Sequence, residues 1–350
     1  MADSVAGRGS AAAVPDAGRL AEYLAGRLPG PAGPAEVAPL GGGQSNPTYL
    51  LTLGGRRYAL RTKPARAAEL LPSAHQIERE YRVLGALAGS GVPVPAVHHL
   101  CTDEDIVGRA FFVMDFVPGR VYADPRLPEL TADERGRLFD DMNRVLALLH
   151  GLDWRALGLA DFGKPGDYLA RQIARWSKQY QAGAAERIPA MDRLLEWLPQ
   201  HLPDGEETCL AHGDFRLDNV IFHPNRPRVL AVLDWELSTL GHPLSDFAYQ
   251  VMAWRLTSTE FRGLKGFDLA ALGIPDESAY VDAYCRRTGR SAIADWEFYL
   301  IFNMFRIAAI LHGVHSRALQ GNAASQNAIE QGSRARLVAD VAWSMAQRNN

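Results

Sequence analysis

The sequence has little of what marks a secreted, membrane-spanning or nucleic-acid-binding protein. Its three cysteines, Cys101, Cys209 and Cys285, are far apart and form no CxxC pair, which is typical of reduced thiols in the cytoplasm and argues against a disulfide framework. No uninterrupted apolar run approaches the roughly 20 residues that cross a bilayer. The net charge is -3 at pH 7, so no basic excess favours nucleic acid or an anionic membrane.

The start of the chain also lacks the basic segment and apolar core of a secretory signal. Residues 1–15 are small, polar and rich in glycine and alanine, and we expect them to form a disordered tail. The chain has 350 residues and is 47% hydrophobic, which is sufficient for two lobes with sizeable cores. We therefore predict a cytoplasmic, two-lobed protein, and the sequence indicates no obligate protein partner.

The first third of the chain has strand-like runs, and the rest is mostly helical. Apolar and β-branched residues indicate strands at 47–53, 57–63, 94–100 and 110–117. Asp16 is a predicted cap of the first helix, and Thr131 with Glu134 forms a capping box where the helical part begins. The predicted fold class is therefore α+β, with a small β-rich N-terminal lobe at 16–117 and a larger, mostly helical C-terminal lobe at 118–350.

The most informative polar residues lie beside apolar runs in the second lobe. Asp214 and Asn219 are five positions apart on one predicted loop, and Asp234 ends the next predicted strand. Phosphoryl transfer needs a carboxylate that receives the alcohol proton, oxygen ligands for Mg²⁺ and cations on the phosphates. Asp and Asn supply the hard oxygen ligands that Mg²⁺ prefers. Plain turn residues are the structural alternative, but that alternative does not explain the apolar runs on both sides.

These motifs, in this order, resemble the catalytic segments of protein kinases and, more closely, those of aminoglycoside phosphotransferases and choline kinases. The residues H-G-D at 212–214 followed by Asn219 resemble the kinase catalytic loop, and Asp234 stands where kinases carry D-F-G. Residues 241–246, GHPLSD, resemble the G-x-P-x-x-D stretch of aminoglycoside phosphotransferases. The segments GGGQSNPTYLL and LDWELSTLGHP are similar to those of one branch of these proteins. That branch includes the kinase-like N-terminal portion of acyl-CoA dehydrogenase family members ten and eleven.

The resemblance implies a protein-kinase-like fold and a phosphotransferase that uses ATP and Mg²⁺ with an alcohol as acceptor. It makes Asp214 the catalytic base, and Asn219 and Asp234 the Mg²⁺ ligands. Asp246 would hold the catalytic loop, whereas a cap on a helix that begins near Phe247 is the structural alternative.

Two further residues flank the implied base. We expect His212 to be a buried, hydrogen-bonded side chain that organises the loop, not a base. Many protein kinases carry a lysine two residues after the base, and Arg216 stands at that offset, so we assign to it the stabilisation of transition-state charge. A second D-F-G sequence, at 161–163, precedes the catalytic loop with no buried strand leading into it, and we interpret it as an ordinary turn.

The first lobe is expected to bind the nucleotide. The loop directly before the first predicted strand contains Gly42, Gly43, Gln44, Ser45 and Asn46. It does not have the glycine pattern of protein kinases, but its backbone N–H groups could cradle phosphates. The resemblance places an adenine-binding hinge at the end of the last strand of this lobe, here at Met114, Asp115 and Val117.

The phosphate-contacting cation has two candidates. Arg61 aligns with the strand lysine of kinases, and Lys63 lies two residues on, hence on the same strand face. Glu80 borders the apolar stripe of the following helix, whereas Glu78 points away from it, so Glu80 is the predicted partner of Arg61. Solvated charges on a surface strand and at a helix edge are the structural alternatives.

The acceptor substrate is expected in the helical lobe. The helix at 296–319 contains two arginines and two histidines, with Glu297 its only acid, and Arg306 and Arg317 fall on one face. A basic face suits a small anionic alcohol, such as a hydroxy acid or hydroxyacyl-CoA, better than a polycationic aminoglycoside. The resemblance to the acyl-CoA dehydrogenase-linked branch fits that choice. A packed helix with solvated arginines is the structural alternative.

Other functions remain open on the sequence alone. An aminoglycoside or amino-alcohol kinase of the choline type has the same motifs. A nucleotide-binding pseudo-enzyme is disfavoured because Asp214, Asn219 and Asp234 are all present. A metal-dependent hydrolase is disfavoured further, because the sequence has no HExxH motif and no close cluster of His and Asp ligands.

Overall fold

The computed structural model of the protein describes residues 14–41, 46–64, 77–319 and 328–349. By its internal contacts the chain divides into two units. The first unit ends at Val117, and the second contains Pro118–Asn350 together with the short segment Gly89–Pro93. Apart from Val14 and Pro15, the predicted N-terminal tail at 1–15 lies outside the described residues.

The first unit is an antiparallel sheet with two helices. Its strands are β1 (Ala35–Pro39), β2 (Thr48–Leu53), β3 (Arg56–Thr62), β4 (Val97–Cys101) and β5 (Phe111–Asp115), and its helices are α1 (Ala17–Leu24) and α2 (Ile77–Leu87). The strand order is β1-β2-β3-β5-β4. As predicted, Asp16 caps α1, since its carboxylate accepts from the Arg19 N–H at 2.7 Å. Alternate residues of β2 are buried, so this strand presents one apolar face to a core that includes Leu20 and Leu24 of α1.

Strand β1 was not predicted from the sequence. Its residues AEVAP have weak strand propensity and end in a proline. It forms as the edge strand of the sheet, paired with β2 from Ala35 opposite Leu53 to Pro39 opposite Tyr49. An edge is the position where a strand tolerates proline, so pairing and not local propensity accounts for β1.

The second unit is mostly helical. Its helices are α3 (Ala132–His150), α4 (Tyr168–Gln181), α5 (Pro189–Gln200), α6 (Pro243–Val251), α7 (Ser258–Phe261), α8 (Leu269–Leu272), α9 (Glu277–Thr288), α10 (Trp296–Leu319) and α11 (Ala328–Arg348), and its strands are β6 (Cys209–Ala211), β7 (Val220–Phe222), β8 (Val229–Val232) and β9 (Thr239–Gly241). Strand β6 pairs with β9, and β7 with β8. The predicted division into a small β-rich part and a larger helical part is confirmed. The predicted capping box of Thr131 and Glu134 begins α3.

Helix α10 is the core of the second unit. Among the described residues it alone has the length and mean hydropathy to cross a bilayer, but 83% of its most apolar window is buried inside the protein, as is typical of a core helix. Its polar side chains bond within the unit: Asn303 donates to the Ser245 carbonyl at 2.9 Å. The helix therefore fixes α6, which contains Ser245, against the centre of the fold.

Candidate active site

The predicted catalytic loop connects β6 to β7 in the second unit. It begins at His212, directly after β6, and ends in a short 3-10 turn, Leu217–Asn219, directly before β7. The backbone N–H of Leu233, which follows β8, donates to the Asn219 carbonyl at 2.8 Å. This bond places the end of the catalytic loop beside the residue that precedes Asp234. Two motifs that are separate in sequence are thereby brought together.

Three side chains donate hydrogen bonds to the Asp214 carboxylate. The Tyr249 hydroxyl donates to Oδ1. Asn219 Nδ2 donates to Oδ2 at 2.9 Å, and Arg216 Nε donates to the same oxygen at 3.1 Å. An ionised carboxylate only accepts hydrogen bonds, and both oxygens of Asp214 are acceptors here.

Arg216 is the cation beside this carboxylate. Burial lowers the pKa of Arg216, but the charges of Asp214 and Asp218 and the nearby Tyr249 outweigh burial and hold the pKa above its ordinary value. Its Nη1 lies 3.3 Å from the Asp218 carboxylate. The guanidinium is thus permanently charged and fixed next to Asp214, which is consistent with the role predicted for it.

His212 is fully buried and bonded through both ring nitrogens. Its Nε2 donates to the Leu233 carbonyl at 2.9 Å, and its Nδ1 accepts from the Asp214 N–H at 3.2 Å. One nitrogen donates and the other accepts, which is the pattern of a neutral imidazole. Neither nitrogen is available to a substrate, so the arrangement is that of a loop organiser.

Asp246 bonds to the backbone of the catalytic loop. Its carboxylate accepts from the His212 N–H at 2.7 Å and the Gly213 N–H at 2.8 Å. Helix α6 begins at Pro243 with His242 as its N-cap, so the alternative that Asp246 caps a helix beginning near Phe247 is wrong. The carboxylate orients the loop instead.

His150, at the end of α3, also bonds to Asp246. Its Nε2 donates to Asp246 at 3.1 Å, and its Nδ1 lies 2.7 Å from the Tyr284 hydroxyl. Burial raises the pKa of Asp246, but the hydrogen bond and the charge of His150, together with the Gly213 N–H, outweigh burial, and the net pKa lies below the usual value. His150 was not predicted from the sequence, where it is a single histidine in the last turn of a helix.

Tyr249 is the second residue that the sequence did not indicate. It lies on α6, three residues after Asp246, and is buried. Burial, and then the charge of Asp214, raise the pKa of Tyr249 well above its ordinary value. The hydroxyl therefore keeps its proton and acts as a donor to Asp214. A tyrosine beside apolar neighbours is ordinary core in a sequence, so no local signal marks it.

Asn219 and Asp234 fit the role of Mg²⁺ ligands by their chemistry. Asn219 Nδ2 donates to the Asp214 carbonyl and carboxylate, each at 2.9 Å, which assigns the amide nitrogen to that side and the amide oxygen to the other. Asp234 has a left-handed backbone with φ 64°. The described residues contain no group of three or more His, Cys, Asp or Glu that could hold a metal. Mg²⁺ needs no such group, since it commonly takes one or two protein oxygens and completes its shell with phosphates and water.

The first unit contains the predicted phosphate-contacting pair. Arg61 Nε donates to Glu80 at 2.6 Å, and both side chains are almost fully buried. Lys63 pairs with Glu78 at 2.5 Å in a partly exposed position. The buried pair matches the expected partnership of Arg61 and Glu80. Glu78, which was predicted to point away from the apolar stripe of α2, pairs with Lys63 instead. Contact with phosphate stays a prediction for both cations.

The other residues predicted to bind the nucleotide also belong to the first unit. Met114 and Asp115 end β5, which pairs with β3, and the Asp115 carboxylate accepts from His98 Nε2 at 2.8 Å. Val117 follows them, and Asn46 is fully buried. Their contact with adenine or phosphate stays a prediction. Gly42, Gly43, Gln44 and Ser45 lie outside the described residues.

Arg306 does not present its charge to a substrate face. Its side chain is buried, and Nη2 donates to the Gly213 carbonyl at 2.6 Å. Its guanidinium carbon lies 5.2 Å from the centroid of the Tyr249 ring. The prediction that Arg306 and Arg317 form a basic substrate surface is therefore wrong for Arg306, which faces the catalytic loop. Arg317 is exposed, and its role stays a prediction.

Comparison with known proteins identifies the family. The sequence profile of the phosphotransferase enzyme family, abbreviated APH, matches residues 36–299. This chain belongs to that family. The matched region contains β3 with Arg61, the catalytic loop and Asp234, so the resemblance inferred from these motifs is confirmed.

Two curated relatives confirm the predicted branch. Acyl-CoA dehydrogenase family member 10 of Mus musculus is 48% identical over 332 residues, covering 94% of this chain and 31% of that protein. Acyl-CoA dehydrogenase family member 11 of Gallus gallus is 42% identical over 342 residues, which cover 95% of this chain and 44% of that protein. The chain therefore spans less than half the length of these relatives.

Solved structures confirm the protein-kinase-like fold. A protein of Ralstonia eutropha JMP134 assigned to the aminoglycoside phosphotransferases is 50% identical, with a TM-score of 0.87 over 95% of this chain and 98% of that one. A thermostable mutant of aminoglycoside phosphotransferase APH(4)-Ia, solved with AMP-PNP and hygromycin B, is 17% identical, with a TM-score of 0.61 over 94% and 97%. At that identity the second likeness shows the fold alone.

The bonds of Asp246 predict a pH-dependent loss of stability. We expect Asp246→Asn to lower the free energy of unfolding by about 3–5 kcal/mol, because an amide cannot replace a buried carboxylate that accepts two N–H groups and a histidine. The pKa of folded Asp246 lies below its ordinary 3.8, so its stabilisation is fully present above that pH and is lost as the pH falls through the folded pKa. Urea unfolding of both proteins at several pH values measures this difference.

The control is Asp140→Asn, which removes a carboxylate that is largely exposed and paired with Arg287. Its effect on the free energy of unfolding should stay below about 1 kcal/mol. An Asp246→Asn protein as stable as this control at neutral pH would contradict the assignment. So would a stability difference that widens below pH 3.8.

Proposed function

We propose that this phosphotransferase transfers the γ-phosphate of ATP to a hydroxyl group of a small molecule. The observation that carries the proposal is the Asp214 carboxylate, which accepts hydrogen bonds from three side chains, one of them a permanently charged arginine. That is the arrangement in which a base can receive an alcohol proton while a cation stabilises the charge on the transferred group. The AMP-PNP bound to the solved neighbour APH(4)-Ia supports ATP as the donor.

Each residue has a role in this proposal. The bond between the acceptor oxygen and the γ-phosphorus forms while the bond from that phosphorus to the ADP oxygen breaks, and Asp214 takes the acceptor proton. Arg216 stabilises the charge on the transferring group. Asn219 and Asp234 would hold Mg²⁺, which supplies positive charge against the phosphate oxygens when bound. Arg61, kept in place by Glu80, is the proposed phosphate-contacting cation, with Lys63 as the alternative.

A cavity in the second unit supports the choice of acceptor. It has a volume of about 70 Å³ and lies beside Tyr249 and Arg216. Its apolar lining consists of Ala123, Pro125, Phe139, Met142, Leu217, Met252, Ala253, Trp254, Phe261 and Leu264. An apolar cavity beside two residues that bond to Asp214 suits the carbon chain of an alcohol better than a hydrated sugar.

The charges of this cavity argue against a polycationic acceptor. Among the described residues that line it, Asp218 is the one acid. Its carboxylate already pairs with Arg216 and Arg262, so it is poorly placed to receive an ammonium group. The two arginines suit a carboxylate or phosphate. We therefore propose a hydroxy acid or hydroxyacyl-CoA as the acceptor, with an aminoglycoside or amino alcohol as the alternative that the assay must exclude.

Removal of the base should abolish transfer and leave the fold intact. We expect Asp214→Asn to lower kcat about 10²–10⁴-fold, which is the usual contribution of a positioned base, with little change in ATP binding. ADP release in the presence of the acceptor measures kcat, and calorimetry measures ATP binding. Asp161→Asn, in the D-F-G sequence that lies in a turn, is the control and should behave as wild type. Near-normal turnover in Asp214→Asn would remove this residue from the mechanism.

Removal of the second proposed Mg²⁺ ligand should uncouple nucleotide binding from magnesium. Asp234→Gly deletes the carboxylate and tolerates the left-handed backbone at this position. We expect its affinity for ATP to become insensitive to the Mg²⁺ concentration, as measured by calorimetric titrations. The matched variant is Glu236→Ala, since Glu236 lies two residues on. If Glu236→Ala loses the magnesium dependence and Asp234→Gly keeps it, the ligand has been assigned to the wrong residue.

The cavity predicts how the acceptor's size affects the kinetics. Ala253→Leu adds three carbons to the lining, so we expect a KM at least about 10-fold higher for hydroxy acids with long chains and a smaller rise for short ones. Ala271→Leu, at an exposed position of α8, is the control. Kinetics are measured on a series of hydroxy acids, their CoA esters and kanamycin-type sugars. Efficient phosphorylation of the sugars, unaffected by Ala253→Leu, would contradict the proposed acceptor.

A further inference from the structure

The hydrogen bonds to Asp214 differ between its two carboxylate oxygens. Oδ2 accepts from Asn219 Nδ2 at 2.9 Å and from Arg216 Nε at 3.1 Å. Oδ1 accepts from the Tyr249 hydroxyl, its one donor among the side chains that the structure describes. A carboxylate offers about four lone-pair sites, two on each oxygen. Both sites of Oδ2 are therefore occupied, and one site of Oδ1 is open.

Tyr249 is itself held from a second direction. The Arg306 guanidinium lies over its ring, with 5.2 Å from the guanidinium carbon to the ring centroid, and the same guanidinium donates to the Gly213 carbonyl at 2.6 Å. Gly213 is the residue before Asp214. Helices α6 and α10 thus provide one side chain each, and these two side chains fix the backbone and the carboxylate of the same loop.

We propose that Tyr249 is a positioning residue, which acts through Asp214 and directs the open lone pair of Oδ1 at the acceptor hydroxyl. This inference rests on the proposed function. In the transfer step the hydroxyl proton moves to Oδ1 as the acceptor oxygen bonds to the γ-phosphorus and the bond to the ADP oxygen breaks. Tyr249 keeps its own proton throughout and donates a hydrogen bond to the other lone pair of Oδ1. Its burial, which raises its pKa, agrees with a role as a permanent donor.

Removal of the Tyr249 hydroxyl should leave the Asp214 carboxylate present but incorrectly oriented toward the acceptor hydroxyl. Tyr249→Phe keeps the ring beneath Arg306 and deletes the bond to Oδ1. We expect kcat for phosphate transfer to fall about 10- to 100-fold, which is the scale of effect when a reacting group is misplaced. The KM for ATP should stay within about twofold, because Tyr249 makes no nucleotide contact in this scheme. Hydrolysis of ATP by water should fall less than transfer, since water needs no fixed approach.

The matched control is Tyr280→Phe. Tyr280 is also a buried tyrosine of the second unit, and its hydroxyl accepts from Gln250 Nε2 at 2.8 Å. Its replacement deletes a hydrogen-bonded buried hydroxyl but no bond to Asp214, so it reports the structural part of the effect. Melting temperatures are measured for both variants, and the kinetics are compared below the lower of the two, where both are folded. Only Tyr249→Phe should lower the ratio of transfer to hydrolysis.

The outcomes separate this inference from the proposed function. A wild-type enzyme that phosphorylates hydroxyl acceptors, together with Tyr249→Phe at a kcat within about twofold of it, would overturn the positioning role and leave the function in place. Equal losses of kcat in Tyr249→Phe and Tyr280→Phe would overturn it as well, since the effect would then be structural. A wild-type enzyme that transfers phosphate to no hydroxyl acceptor would overturn the proposed function and this inference together.

Discussion

The arrangement of the catalytic loop depends on one buried carboxylate. Asp246 accepts the N–H groups of His212 and Gly213, and these are the two residues that precede Asp214. Because two donors on consecutive residues converge on one carboxylate, the peptide planes there have little rotational freedom. An ionic hydrogen-bond acceptor on α6 thus helps to set the conformation of the loop. His150, on α3, donates a hydrogen bond to the same carboxylate. Helix α3, helix α6 and the catalytic loop, which are distant in sequence, are therefore joined at Asp246.

The sequence predicted those parts of the site whose residues are near each other along the chain. Asp214 and Asn219 belong to one loop, and their five-residue spacing is enough for the hydrogen bond between them. The Arg61–Glu80 pair was predictable for a related reason, because the helical stripe of α2 indicates which of its two glutamates faces inward. In both cases a single element and its periodicity determine the geometry.

The sequence did not predict contacts that depend on how elements pack. His150 and Tyr249 reach the loop from α3 and α6, and nothing in their local sequence distinguishes them from ordinary helix residues. Periodicity correctly placed Arg306 on a face of α10, but it could not tell what that face meets, and the face meets Gly213. Strand β1 was missed because its partner β2, not its own composition, makes it a strand.

The left-handed backbone of Asp234 restricts which residues can replace it. For most side chains that conformation is unfavourable by roughly 1–2 kcal/mol, whereas glycine, asparagine and aspartate tolerate it. A relative that loses phosphotransfer while keeping this loop is therefore expected to carry glycine or asparagine at the position. A bulky or β-branched residue there would indicate that the backbone itself has changed course. The amino acid at this position thus distinguishes a relative that has lost activity but kept the loop conformation from one whose loop conformation has changed.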